Sequence, residues 1–123
     1  MVLVDTSVWV DHLREGDTTL SALLAEGRVL AHPFIIGEIA LGQLRQRELI
    51  IECLENLPHA PGASHAEVMT LIATHELPGM GIGYVDAHLL AALRLAPGSK
   101  LWTRDKRLAA AAARWGLGFD PQH

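Results

Sequence analysis

The chain has 123 residues, a length typical of one domain and too short for two independent cores. Half of the residues are hydrophobic, a fifth are charged and the formal net charge is -4. This excludes a disordered or fibrous protein and argues against coating nucleic acid through bulk positive charge. The single cysteine, Cys53, excludes an intramolecular disulfide and a paired-cysteine zinc site, so we expect a buried thiol in a reducing cytoplasm. No signal peptide or membrane-spanning run is apparent, and we expect one soluble domain over residues 1–123.

The first half of the chain predicts short strands that alternate with helices. A β-branched run at residues 2–4 predicts a buried strand, and Asp5 follows it with a helix-capping turn. We then expect helices at residues 7–14 and 17–27, a strand at 29–31, and a helix at 34–43 that continues to 57 after a break near Gly42.

The second half predicts the same alternation. Ser64 and Glu67 have the spacing of a capping box, which predicts a helix at 64–76. After the glycine-rich segment 78–83 we expect a helix at 84–95, a strand at 100–103, a helix at 105–115, an edge strand at 116–119 and a frayed end at 121–123. Such alternation favours a parallel sheet covered by helices, with sites beyond the carboxyl ends of the strands.

Four carboxylates interrupt apolar runs. Asp5 and Asp105 follow predicted strands, whereas Glu38 and Asp86 share helix faces with apolar residues and are expected to point toward the core. Four acids that converge at one sheet edge repel each other unless a cation lies between them. An all-oxygen site without supporting cysteine or clustered histidine favours Mg²⁺ or Mn²⁺ over zinc or copper.

Each acid also has an ordinary structural interpretation. Asp5 and Asp105 have the position of helix caps, and buried acids such as Glu38 and Asp86 are often paired with an arginine. The metal hypothesis depends on the set of four. A water activated by such a metal is suited to in-line attack on a phosphodiester.

Two hydroxyls and three basic residues accompany the acids. Ser7 and Thr103 stand next to the two strand-end aspartates and are expected to bond a carboxylate or a metal-bound water. Arg104, Lys106 and Arg107 flank the last acid and predict a basic rim that attracts nucleic acid. For Lys106 and Arg107 a solvated helix face is the alternative.

The chain resembles the PIN-domain nucleases, and more closely the VapC toxins of bacterial and archaeal toxin–antitoxin pairs. The likeness covers nearly the whole chain and combines four motifs in a fixed order. Its carriers are residues 2–9 around Asp5, 36–39 around Glu38, 83–90 around Asp86, and 102–108 around Asp105 with its Thr-x-Asp pattern.

The resemblance implies a fold, an activity and partners. The fold is a three-layer α/β/α sandwich with a small central parallel sheet. Asp5, Glu38, Asp86 and Asp105 match the family's catalytic and metal-binding quartet for Mg²⁺ or Mn²⁺, with Thr103 in its Thr-x-Asp motif. The implied activity is endonucleolytic hydrolysis of RNA. The implied assembly is a homodimer silenced by a VapB-type antitoxin, whose carboxyl-terminal arm crosses the acidic site.

Other functions stay open at this level. A PIN nuclease that processes RNA without an antitoxin needs the same acids, although such enzymes more often carry an added RNA-binding module. A receiver-like signalling module also binds Mg²⁺ at strand ends, but Asp5 has no adjacent acidic partner of the expected kind. A catalytically inactive PIN fold is disfavoured by the four intact acids.

Overall fold

The structure is a computed structural model that describes residues 1–121, so most of the expected frayed end lies outside the described residues. Three strands and seven helices follow one another in this range. They are β1 (Val2–Val4), α1 (Thr6–Glu15), α2 (Thr18–Ala25), β2 (Val29–Leu30), α3 (Pro33–Ala40), α4 (Arg47–Glu55), α5 (His65–Thr74), α6 (Tyr84–Arg94), β3 (Lys100–Trp102) and α7 (Lys106–Ala113).

The three strands form a parallel sheet with β1 in the centre, in the order β2-β1-β3. Leu3 in β1 lies opposite Leu30 in β2 and Leu101 in β3, and all three side chains are buried. Strands that are covered on both faces are expected to be continuously apolar, as these are. The predicted α/β class with a small central parallel sheet is confirmed.

The predicted edge strand at 116–119 is reduced to one parallel bridge between Leu101 and Gly118. Leu101 donates to the carbonyl of Leu117 at 2.7 Å, and Phe119 donates back to Leu101 at 2.8 Å. Gly116, at a φ of 68°, turns the chain out of the preceding helix, and two glycines in four residues leave few side chains to extend the pairing.

Helix boundaries follow local chemistry. α3 ends at Ala40, and α4 starts after Gln46, whose φ of 53° is left-handed, so the predicted break near Gly42 spans six residues, 41–46. The predicted capping box is confirmed: Ser64 Oγ accepts from the amide of Glu67 at 3.1 Å, and Glu67 Oε1 accepts from the amide of Ser64 at 2.9 Å.

The hydrophobic core consists of buried side chains from the sheet and from the helices packed against it. Among its fully buried side chains are Leu20, Ile35, Leu89, Leu90 and Leu108, from four different helices. The expectation that Cys53 is buried was wrong, since the thiol is exposed on α4, where only Leu54 is fully covered. Within residues 1–121 no helix combines the length and the apolar character needed to cross a membrane.

Candidate functional site

Asp5 is the buried centre of a hydroxyl-lined site at the end of β1. Its Oδ2 accepts hydrogen bonds from Thr103 Oγ1 at 2.7 Å and from Ser7 Oγ at 3.0 Å. Only 8% of the residue is exposed. Asp5 occupies the N-cap position of α1 but its side chain makes no capping bond, so capping does not explain it.

The same two hydroxyls hold the loop that follows β3. Thr103 Oγ1 accepts from the amide of Asp105 at 3.1 Å, and Ser7 Oγ accepts from the amide of Arg104 at 3.0 Å. Because β1 and β3 are parallel neighbours, their carboxyl ends meet at one edge of the sheet. This is where the sequence places both strand-end aspartates.

Asp86 lies in the first turn of α6 and is half-buried. Its Oδ2 accepts from the amide of Gly83 at 3.2 Å. Burial raises the pKa of the Asp86 carboxyl, and the negative charges of Asp5, Asp105 and Glu38 raise it further, while the Gly83 bond opposes the shift. Asp86 therefore lies close enough to the other three acids for their negative charges to act on it.

Glu38 reaches the site from α3, but it is exposed, and the expectation that it points into the core was wrong. Its Oε1 accepts from Thr6 Oγ1 at 2.7 Å, one residue beyond Asp5. Glu38 shares its helix face with Phe34 and Leu41, which are themselves exposed. The buried face of α3 consists of Ile35, Ile36 and Ile39. Since α3 is apolar on both faces, hydrophobic pattern alone does not identify the buried one.

Asp105 caps α7 and remains exposed, as the ordinary interpretation predicts. Its Oδ1 accepts from the amides of Arg107 at 2.9 Å and Leu108 at 3.1 Å. Within residues 1–121 no group donates to Oδ2. One oxygen thus fixes the helix start and the other is available to a ligand.

The donor set suits a hard divalent cation. The ion pairs in the described part of the chain involve other acids, so arginine pairing does not explain Glu38 or Asp86. Over the same residues, no three acidic, histidine or cysteine side chains are placed to hold a metal ion as they stand. Mg²⁺ normally keeps several waters, so these carboxylates suit binding through water or after a small closing movement.

The basic residues near Asp105 differ in how their charges are used. Arg104 Nε lies 2.8 Å from Asp11 Oδ2, and its Nη2 lies 3.3 Å from Asp17 Oδ2. Lys106 and Arg107 are exposed and form no ion pair within residues 1–121. The charge of Arg104 is therefore compensated within the chain, whereas the other two remain available.

Sequence reasoning missed several supporting groups. Thr6, the amide of Gly83 and the acids Asp11 and Asp17 all bond residues of the site or its rim. Two of these had a signal in the sequence: Thr6 directly follows Asp5, and Gly83 precedes Asp86 by three residues, the spacing of a capping contact. The pairing of Arg104 with Asp11 and Asp17 depends on contacts between elements that are distant in sequence.

Comparison with known proteins identifies the family. The PIN domain model matches residues 2–114. Ribonuclease VapC32 of Mycobacterium tuberculosis, in strains CDC 1551 / Oshkosh and ATCC 25618 / H37Rv, is 47% identical over 119 residues, which are 97% of this chain and 96% of that protein. The crystal structure of FitAcB from Neisseria gonorrhoeae shares the fold, with a TM-score of 0.68 and 21% identity over 100% of this chain and 99% of that one. The chain therefore belongs to the PIN-domain family, among the VapC ribonucleases.

Proposed function

We propose that this chain is an endoribonuclease toxin that hydrolyses RNA with the help of Mg²⁺ or Mn²⁺ held by Asp5, Glu38, Asp86 and Asp105. The observation that carries the proposal is the hydrogen-bonded junction at the ends of β1 and β3, where Thr103 Oγ1 donates to Asp5 Oδ2 and accepts from the amide of Asp105. The charges of Asp5, Asp105 and Glu38 also help to raise the pKa of the Asp86 carboxyl, which supports its membership of the same site. Asp86 lies near three other carboxylates and has no cationic partner among the described residues, an arrangement that favours a bound cation.

The four acids have different proposed roles because they differ in exposure and in hydrogen bonding. Asp5 and Asp86 are the least exposed of the four and serve as the principal ligands, and the Ser7 and Thr103 hydroxyls orient Asp5 Oδ2. Glu38 and the unbonded Oδ2 of Asp105 complete the shell through water or orient the attacking water. When bound, the divalent ion supplies a water of lowered pKa and offsets charge on the phosphate.

The basic rim brings RNA to an acidic pocket. Lys106 and Arg107 have no acidic partner in the described chain and bind backbone phosphates. Arg104 belongs to the same rim, but two carboxylates already hold its guanidinium. Its main contribution is the backbone amide that supports Ser7.

A VapB-type antitoxin and a second copy of the chain are the proposed protein partners. An arginine from an antitoxin arm suits a site of four carboxylates, because its guanidinium offsets their charge and occupies the place where a metal ion would bind. An RNA-processing enzyme without an antitoxin would use the same site. Near-full-length similarity to a VapC ribonuclease favours the toxin.

The test is cleavage of a structured RNA pool by the wild type and Asp86→Asn, each with Mg²⁺, Mn²⁺ or EDTA. We expect metal-dependent cuts with 5′-phosphate ends in the wild type and none in the variant. Glu26→Gln is the matched control, since Glu26 follows α2 at the opposite end of the sheet and pairs with Arg28. Cleavage that survives both EDTA and Asp86→Asn would overturn the mechanism.

A further inference from the structure

Arg107 lies directly against the backbone of Gly81. A β-carbon at position 81 would stand 2.8 Å from Arg107 Cδ, 3.0 Å from Nη1 and 3.1 Å from Nε. Separations this short exclude any side chain at position 81 unless the arginine moves away. At a φ of 77°, Gly81 also has a conformation that favours glycine.

The contact joins the two segments that carry Asp86 and Asp105. Gly81 stands two residues before Gly83, whose amide donates to Asp86 Oδ2 at 3.2 Å. Arg107 stands two residues after Asp105, and its own amide donates to Asp105 Oδ1 at 2.9 Å. The side chain of Arg107 therefore lies between the segments that carry two acids of the proposed site.

A second arginine of the same helical region fixes the loop against which Arg107 lies. Arg114 Nη2 donates to the carbonyl of His75 at 3.2 Å, and its Nη1 lies 2.9 Å from Met80 Sδ. Arg114 is thus bonded to the loop itself. Arg107 has neither a hydrogen bond from its guanidinium nor an ion pair within the described residues, so its charge has no structural partner.

We propose that Gly81 is a positioning residue for the nuclease: it allows Arg107 to lie across this loop, with its guanidinium directed to a phosphate of the bound RNA. The inference rests on the proposed function for the identity of the substrate. An unpaired arginine provides up to five donors for phosphate oxygens, and the space that Gly81 leaves allows its side chain to pack along the loop.

The experiment compares Gly81→Ala, Arg107→Ala and the double variant with the wild type. The methyl group added at position 81 displaces the flexible Arg107 side chain and no backbone atom, so we expect Gly81→Ala to fold. We expect KM for RNA to rise roughly tenfold in both single variants, with kcat little changed, which is the size of one charge-assisted contact. The double variant is expected to match Arg107→Ala.

Gly79→Ala is the matched control. Gly79 lies in the same loop at a φ of 86°, but nothing stands within 4 Å of its would-be β-carbon. Gly79→Ala therefore introduces the same kind of backbone strain without touching Arg107, and we expect its KM to stay near that of the wild type. Thermal unfolding of both glycine variants measures the strain that they share.

Binding without cleavage separates this inference from the proposed function. The probe is a fluorescein-labelled single-stranded RNA of mixed sequence, titrated in EDTA at several salt concentrations. We expect Gly81→Ala and Arg107→Ala to lose about 0.7 of the slope of log affinity against log salt, the value for one phosphate contact on a single strand. Gly79→Ala is expected to keep the slope.

The outcomes are distinct. Equal KM and salt slope in Gly81→Ala and Gly79→Ala would overturn the inference, as would a Gly81→Ala effect that persists when Arg107 is absent, or a wild type that binds no RNA. A wild type that binds RNA with the expected slopes but never cleaves it would overturn the proposed function alone.

Discussion

Thr103 Oγ1 donates a 2.7 Å hydrogen bond to Asp5 Oδ2, although the residues are 98 positions apart in the chain. The bond connects the ends of two neighbouring parallel strands. The same hydroxyl oxygen accepts from the amide of Asp105 at 3.1 Å. Thr103 is therefore the link through which the position of one acid depends on the loop that carries another.

Removing this hydroxyl is expected to slow RNA cleavage without unfolding the protein. Thr103→Val keeps the shape of the side chain but leaves Asp5 Oδ2 with Ser7 as its remaining hydroxyl donor. Losses at such supporting groups are typically about 10- to 100-fold in activity. We expect this loss in kcat, while Thr103→Ser restores most of it. Equal activity in Thr103→Val and the wild type would show that the hydroxyl does not position Asp5.

Neutralising Asp86 is expected to stabilise the protein when no metal is present. Burial and three nearby negative charges raise the pKa of Asp86 in the folded state, so ionisation above its ordinary pKa of 3.8 opposes folding. Asp86→Asn removes that repulsion and still provides an oxygen to accept from Gly83. In EDTA, we expect a higher midpoint of thermal unfolding for the variant.

Added Mg²⁺ is expected to reverse this order. An ion that binds only the folded state raises the unfolding midpoint of the wild type, and the variant lacks one ligand for it. The measurement is thermal unfolding of both proteins in EDTA and in Mg²⁺. A wild type that is more stable than Asp86→Asn in EDTA would contradict the picture of an acidic cluster under repulsion.

Replacement of Arg104 is expected to lower the stability of the protein slightly. It is also expected to weaken RNA binding less than replacement of Arg107 does. The Arg104 side chain is 43% exposed, and its pairs with Asp11 and Asp17 are thus partly screened by solvent. We expect Arg104→Gln to lower the free energy of unfolding by less than about 1 kcal/mol, with a smaller effect at high salt. Urea unfolding measures this loss. A salt slope for RNA binding that falls as far as in Arg107→Ala would show that Arg104 also contacts phosphate.

The sheet and the helices were predictable from the sequence because each depends on short-range pattern, whereas a metal site shared by all four acids stays a prediction. The apolar strand before Asp5 and the capping box at Ser64 are each defined by residues within a few positions of one another. The convergence of Asp5 and Asp105 follows from parallel topology. These features need no knowledge of side-chain packing.

The exposure of Glu38 and the pairing of Arg104 were beyond sequence pattern. α3 is apolar on both faces, so its buried face is decided by which helices pack against it. Arg104 is one of several basic residues near Asp105, and its compensation by Asp11 and Asp17 depends on how the end of β3 meets α1 and α2. Tertiary packing, rather than local propensity, determines both.

His32 is expected to make the stability of the fold depend on pH. Its Nδ1 accepts from the amide of Phe34 at 3.1 Å at the start of α3, and its Nε2 is buried without a partner among the described residues. Burial, together with the nearby His88 and His59, lowers the pKa of His32 from 6.5 to about 4. Protonation also converts Nδ1 into a donor, which breaks the cap.

The lowered pKa of His32 makes the folded state less stable as the pH falls. Because the unfolded state binds the proton first, the contribution of neutral His32 is complete above pH 6.5 and is lost as the pH falls toward 4. We expect about 2 kcal/mol of this loss between pH 7 and pH 5. His32→Asn retains a capping oxygen without the titration, so urea unfolding of the variant is expected to show a pH dependence smaller by that amount. An unchanged pH dependence would assign the effect to other groups.

Whether the four acids act as one metal centre is measured most directly by calorimetric titration of Mn²⁺ into the wild type, Asp86→Asn and Glu26→Gln. Glu26 pairs with Arg28 before β2, away from the carboxyl ends of the strands. We expect Mn²⁺ to bind the wild type and Glu26→Gln alike and to bind Asp86→Asn at least about tenfold more weakly. Equal Mn²⁺ binding to all three proteins, or no binding to the wild type, would show that the four acids do not form a metal centre.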